Sequence, residues 1–200
     1  MNADNPSAYP IVGVLALQGA FREHRRALEK CGAQTREVRR RHELTGLDAL
    51  VIPGGESTTI GKLMVSYGLL EPVRGLAREG LPVFGTCAGL VMLAGEVVEG
   101  DQPLLEVMEV KVRRNAFGRQ VNSFETPLGL PALPGGQPFP GVFIRAPWIE
   151  QAGPGVELLA SHEGRPVAAR QGNLLATAFH PELTDDLRLH DFFLDLVSSR

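Results

Sequence analysis

The chain has 200 residues, 44% of them hydrophobic and 22% charged, with a formal net charge of −3, a length that suits one domain with a substantial core. Acids and bases are mixed along it, so no basic block points to nucleic acid and no acidic tail to disorder. No apolar stretch is long enough to span a bilayer, the polar start does not read as a secretory signal, and two cysteines, Cys31 and Cys87, do not make a disulfide framework. A cytoplasmic protein with reduced thiols is expected.

Residues 1–9 read as a flexible N-terminal extension and 10–200 as a single domain. Residues 11–17 are a continuous apolar run, the mark of a strand covered on both faces, and Gln18-Gly19 ends it. Residues 21–31 have helical spacing, with Phe21, His24, Leu28 and Cys31 on one face and Gly32 as a stop. Residues 34–38 and 48–52 are further strands. The second runs into Pro53-Gly54-Gly55-Glu56-Ser57, where Ser57 is placed to cap a helix over 58–67. A helix over 70–78 leads to a strand over 81–84, then Gly85-Thr86-Cys87-Ala88-Gly89 and a helix entered through 90–94. This alternation predicts a doubly wound α/β fold with a mostly parallel sheet. Ligands in such sheets bind beyond the carboxyl ends of strands, where Gly54-Gly55 and Cys87 both fall.

The second half changes character. Residues 105–112 alternate in polarity, and 121–125, 141–145, 156–161, 166–170 and 174–179 are further strand candidates, read as antiparallel additions to the core. Residues 129–140 are rich in Gly and Pro and read as a surface loop. An amphipathic helix over 186–197 closes the domain.

The chemistry centres on Cys87. A strand-to-helix turn with small neighbours lifts a side chain clear of the backbone, and the next helix aims free N–H groups at the sulfur, favouring thiolate. A buried structural cysteine fits the same stretch. A nucleophile needs a base and a group to orient it. His24, His42, His162 and His190 read as surface or edge residues, whereas His180 follows an apolar strand. Glu182, two residues on, projects to the same side and can orient His180 as the third member of a triad. For Gln18-Gly19, a strand-end turn and a contact region around the site are both open, and Cys31 reads as a packed helix residue. No nucleotide fingerprint, phosphate loop or metal-ligand cluster is present, so neither cofactor nor metal is expected.

Gly85-Thr86-Cys87-Ala88-Gly89, Pro53-Gly54-Gly55-Glu56-Ser57-Thr58 and His180-Pro181-Glu182 together resemble the signature set of the class I glutamine amidotransferases. Residues 15–20, 114–120, 143–147 and 177–186 narrow the resemblance to the glutaminase subunits of pyridoxal 5′-phosphate synthases, over about residues 10–197. The resemblance implies that Cys87, His180 and Glu182 hydrolyse L-glutamine through a glutamyl thioester. It implies backbone donors at Gly55 and Ala88 for the oxyanion, and Gly55, Glu56, Ser57, Arg114, Ile144 and Arg145 around the substrate. It also implies ammonia delivery to a separate (β/α)₈-barrel synthase subunit, whose docking completes the site, with no nucleic-acid or membrane partner. A cysteine peptidase or amidase on the same scaffold and a non-catalytic binding domain are the alternatives.

Overall fold

The computed structural model describes residues 9–114 and 123–199. Eight of the nine residues read as an N-terminal extension therefore lie outside the described residues, as do the first two of the expected strand 121–125.

The apolar runs form one seven-stranded sheet. Its order is β10 (Glu157–His162), β11 (Arg165–Gln171), β12 (Leu174–Thr177), β4 (Val83–Thr86), β3 (Ala49–Ile52), β1 (Ile11–Leu15), β2 (Gln34–Val38). The five strands from β12 to β2 run parallel, and β11 and β10 extend the sheet antiparallel, each to its neighbour. Every residue of β3, β4 and β12 is buried, as expected of strands covered on both faces. The α/β architecture read from the sequence is the one observed.

Helices α1 (Phe21–Lys30) and α5 (Arg188–Ser198) pack against each other. Phe84 of β4 lies beneath them, 5.4 Å between ring centroids from Phe193 and 6.0 Å from both His24 and His190. Helix α2 (Ser57–Ser66) packs on α3 (Leu70–Arg78) and on the short α4 (Ala88–Leu93).

Two smaller sheets complete the fold: β5 (Ala94–Val97), β6 (Met108–Arg113) and β9 (Trp148–Ala152), and the hairpin β7 (Ser123–Leu128) with β8 (Phe139–Ile144). Strands β5 and β9 are absent from the sequence reading. Helix α4 stops after six residues because Ala94 turns extended and pairs, parallel, with Met108. Residues 129–140 are a loop for most of their length, yet Leu130 and Leu133 are buried. The Arg188 guanidinium ties the loop down by donating to the carbonyls of Gln137 at 3.0 Å and Pro138 at 3.1 Å. The hairpin is drawn to the carboxyl edge of the large sheet, where the His180 N–H donates to Val142 O at 2.8 Å.

Candidate active site

The turn around Cys87 is built backbone against backbone. A Cβ on Gly85 would stand 2.5 Å from Gly89 O, and one on Gly89 would stand 2.1 Å from Ile52 O, so only glycine fits at either position. Between them Cys87 takes φ 49° and ψ −100°, a conformation a non-glycine residue holds only when its surroundings enforce it. The enforcing contacts are α4, which begins at Ala88, and the Cys87 N–H donated to Thr177 O at 2.7 Å. The sulfur is nearly buried, with Ile144 O 3.9 Å away.

His180 lines the same cavity as Cys87 and interacts with it, and its Nδ1 lies 2.8 Å from Glu182 Oε1. A carboxylate accepts only, so Nδ1 carries the proton in this bond. Burial alone would lower the His180 pKa, but its interactions with Cys87 and Glu182 carry it up to about 10. Burial likewise opposes ionisation of Glu182, but His24 and His180 hold its carboxyl below the usual range. The imidazolium is thus the favoured state of His180.

A cavity of about 350 Å³ opens beside the sulfur, within the usual range for small-molecule sites. Gly55, Glu56, Ser57, Cys87, Ala88, Arg114, Ile144, Arg145 and His180 all line it. Glu182 does not; it stands behind His180. Every site residue expected from the sequence is therefore in the cavity wall or directly behind it.

Some local readings need correction. Glu56, not Ser57, caps α2: its backbone is extended, and its carboxylate accepts from Thr58 N–H at 3.1 Å and Thr59 N–H at 2.7 Å. Burial would raise the Glu56 pKa, but the bonds from Thr59 and Thr58 bring it down to about 2. Ser57 is instead the first helical residue, buried, and its hydroxyl donates to Gln102 Oε1 at 3.1 Å. Arg114 is held in the wall by Gln102 Oε1 at 3.0 Å, Thr58 Oγ1 at 3.2 Å and Glu56 Oε1 at 3.2 Å. The rest of its motif, 115–120, lies outside the described residues. Arg145 adopts a left-handed backbone, φ 45°.

Gln18 belongs to the contact region: with Gly19 it lines the cavity, and its Oε1 accepts the Glu56 N–H at 2.8 Å. A Cβ on Gly55 would stand 2.3 Å from that same oxygen, so the second glycine of the turn makes room for Gln18. Cys31, half-buried at the end of α1, has its thiol pushed up to about 12 by burial and by Asp191. Both cysteines are free thiols.

The largest correction concerns two histidines read as surface or edge residues. His24 and His190 are fully buried. His24 sits among Glu182, Thr86 and His190 directly behind the site. The apolar face that His24 shares with Phe21 and Leu28 was the available signal; the flanking arginines masked it. Thr86 joins the elbow to the glycine turn, its hydroxyl accepting the Gly54 N–H at 3.1 Å. Among the described residues, no group of three or more His, Cys, Asp or Glu side chains is arranged to hold a metal ion. No helix among them is long and apolar enough to cross a membrane.

The model of the SNO glutamine amidotransferase family matches residues 14–199. The pyridoxal 5′-phosphate synthase subunit PdxT of Moorella thermoacetica is 60% identical over 186 residues, 93% of this chain and 98% of that protein. The PdxT subunit of Pelotomaculum thermopropionicum is 59% identical over 184 residues, covering 92% and 93%. A crystal structure of a glutamine amidotransferase superposes with a TM-score of 0.89 at 55% identity, over 94% of this chain and 98% of that one. A chain of the PurLQS structure from Thermotoga maritima, at 14% identity, superposes with a TM-score of 0.64 over 94% of this chain and 98% of its own length; it shares the fold.

Proposed function

The chain belongs to the SNO glutamine amidotransferase family, and from that premise we propose that it hydrolyses L-glutamine to L-glutamate and ammonia at Cys87. We further propose that it does so as the glutaminase subunit of a pyridoxal 5′-phosphate synthase, in the cytoplasm. The observation that carries the reading is the single line of groups from a carboxylate to a strained cysteine at a cavity wall: Glu182 Oε1, His180 Nδ1 at 2.8 Å, and Cys87 lining the same cavity as His180.

In this reading the Cys87 sulfur attacks the side-chain amide carbon of glutamine. The carbonyl π bond opens to an oxyanion, which the Gly55 and Ala88 backbone N–H groups receive; one such donor is worth about two to three powers of ten in rate. His180 gives its Nε2 proton to the amide nitrogen, the C–N bond breaks and ammonia leaves. Neutral His180 then takes a proton from water, whose oxygen attacks the thioester carbon. The C–S bond breaks, Cys87 and His180 return to their starting protonation and glutamate departs. Glu182 keeps the imidazole in one tautomer throughout.

Substrate positioning falls to Gly55, Glu56, Ser57, Arg114, Ile144 and Arg145. A guanidinium can meet the substrate α-carboxylate with two parallel bonds, and Glu56 offers a carboxylate to the α-ammonium. The ammonia goes to a separate synthase subunit, in the resembling family a (β/α)₈ barrel.

The test is glutamate release by the wild-type chain and by Cys87→Ala, each with the synthase subunit present. The wild type is expected to turn over and the variant to be inactive. A Cys87→Ala protein that hydrolyses glutamine at the wild-type rate overturns the mechanism.

A further inference from the structure

Glu182 uses one carboxylate oxygen to hold His180. Its other oxygen, Oε2, is buried and has no hydrogen bond of ordinary geometry among the described residues. Facing it at 3.3 Å is His24 Nε2, and both side chains are fully buried. That nitrogen is also 3.0 Å from Thr86 Oγ1. On its far side, His24 Nδ1 is 3.1 Å from Nε2 of the fully buried His190.

The protons of this cluster can be assigned by elimination. A bare lone pair on His24 Nε2 would face a carboxylate oxygen, lone pair against anion, so Nε2 carries the proton. Thr86 Oγ1 lies at 3.0 Å to accept it, and Glu182 Oε2 stands 3.3 Å from the same nitrogen, within its electrostatic reach. Burial keeps His24 neutral, lowering its pKa against the opposing pull of Glu182, with His180 adding to the lowering and Glu23 opposing it. His24 Nδ1 is then a bare acceptor, filled by the His190 Nε2–H. His190 is neutral in turn, its pKa held at about 3 by burial and by His24, so its Nδ1 is bare. That atom has no partner among the described residues. An acceptor left unpaired there avoids an orphaned donor, and the assignment leaves no N–H of the cluster unpaired.

We infer that His24 is a positioning residue for the proposed glutaminase reaction: backed by His190 and steadied by Thr86, its Nε2–H fixes the second oxygen of Glu182 and so the plane of the His180 imidazole. The triad is the exposed end of a buried chain running from α5 through α1 to the sulfur. Glu182, hydrogen-bonded to His180 at Oε1 and faced by His24 Nε2 at 3.3 Å on Oε2, is hindered from rotating away when His180 changes charge during turnover. His24 touches neither the sulfur nor the substrate cavity.

The inference rests on the glutaminase reading, so the wild type and Cys87→Ala are assayed first; their outcome judges that reading alone. His24→Leu and His24→Gln are then compared in glutamate release with the synthase subunit present. A glutamine amide nitrogen reaches about as far as Nε2 and can donate to Glu182; leucine cannot. His24→Leu is expected to lose about ten- to hundredfold in kcat, the scale of one hydrogen bond to a charged group, with KM unchanged. Its pH profile is expected to lose its alkaline limb at lower pH, because the imidazolium of His180 is less supported. His24→Gln is expected to recover most of both. Wild-type kcat in both variants, or equal impairment of both with an unaltered pH profile, overturns the inference. Should His24→Leu fail to fold, ¹⁵N NMR of the wild-type imidazoles decides: an Nε2-protonated His24 supports the inference, and an Nδ1-protonated His24 overturns it.

Discussion

Gly54→Ala isolates the steric logic of the site. Gly54 is the first glycine of the turn after β3, and its φ is not positive, so alanine meets no backbone penalty. The obstacle is His180: a Cβ at position 54 would stand 2.3 Å from its Cε1 and 2.8 Å from its Nδ1, with the Cys87 Cβ at 3.4 Å. Carbon–carbon contact is comfortable only from about 3.5 Å, so the ring must retreat by roughly 1 Å. It has little freedom to do so, being 7% exposed and bonded to Glu182. A misplacement of roughly 1 Å costs on the order of 10²-fold in rate, and overpacking costs about 1–3 kcal/mol of stability. We therefore expect Gly54→Ala to fold with a lowered melting temperature and to release glutamate on the order of a hundredfold more slowly, with KM changed far less than kcat. The assay is steady-state glutamate release with the synthase subunit present, beside thermal unfolding. The internal control is Gly75→Ala, a helical glycine with nothing within 4 Å of its Cβ position, expected to gain about 0.5–1 kcal/mol and keep full activity. A Gly54→Ala protein with wild-type kcat would refute the claim that His180 is held in place against this glycine.

Glu182→Gln can present an amide N–H to His180 Nδ1 and so reverse the tautomer; a loss of about 10⁴-fold in kcat is expected, the size seen when a triad acid becomes an amide. The folded pKa of His180, about 10 against an ordinary 6.5, makes its contribution to stability complete below pH 6.5 and lost as pH rises through 10. Denaturant titrations across that range should show a shallower loss in Glu182→Gln. Thr86→Val keeps the shape of the side chain but leaves the Gly54 N–H without its acceptor and removes the hydroxyl beside His24 Nε2; about 1–3 kcal/mol of stability should go with it, read from a denaturant midpoint. Glu56→Ala removes the cap of α2 and should cost about 1 kcal/mol at neutral pH. Because the folded Glu56 pKa lies at about 2, below its ordinary 4.5, that difference is full above pH 4.5 and closes as pH falls toward 2. An undiminished gap at pH 2 would contradict the capping role.

Local pattern carried much of this molecule. Strand β2 and helix α3 have the ends read from the sequence, and the fully buried β3, β4 and β12 show as apolar runs, because a strand covered on both faces and an amphipathic helix each write their burial into neighbouring residues. Strands β5 and β9 are not legible that way. Ala94–Val97 has one buried residue and Trp148–Ala152 likewise one, so neither repeats long enough to stand out, and their pairing with β6 is set by residues far along the chain. The choice of Glu56 over Ser57 as the α2 cap is of the same kind. Both residue types can cap, and the extended backbone at Glu56, set by how the turn after β3 closes against Gln18, decides between them.

The sequence by itself determined the nucleophile turn, the His180–Glu182 spacing and the glycines that let backbones touch, because each is a short-range constraint: a turn too tight for Cβ atoms, or two side chains projecting the same way. Only the tertiary structure decided the rest of the electrostatics. His24 and His190 are 166 residues apart and lie among charged neighbours in their own helices. They become buried partners of Glu182 only when α1 and α5 close over Phe84 and exclude water from the space behind the triad. Burial depends on what covers a residue, and what covers these two histidines comes from the opposite end of the chain.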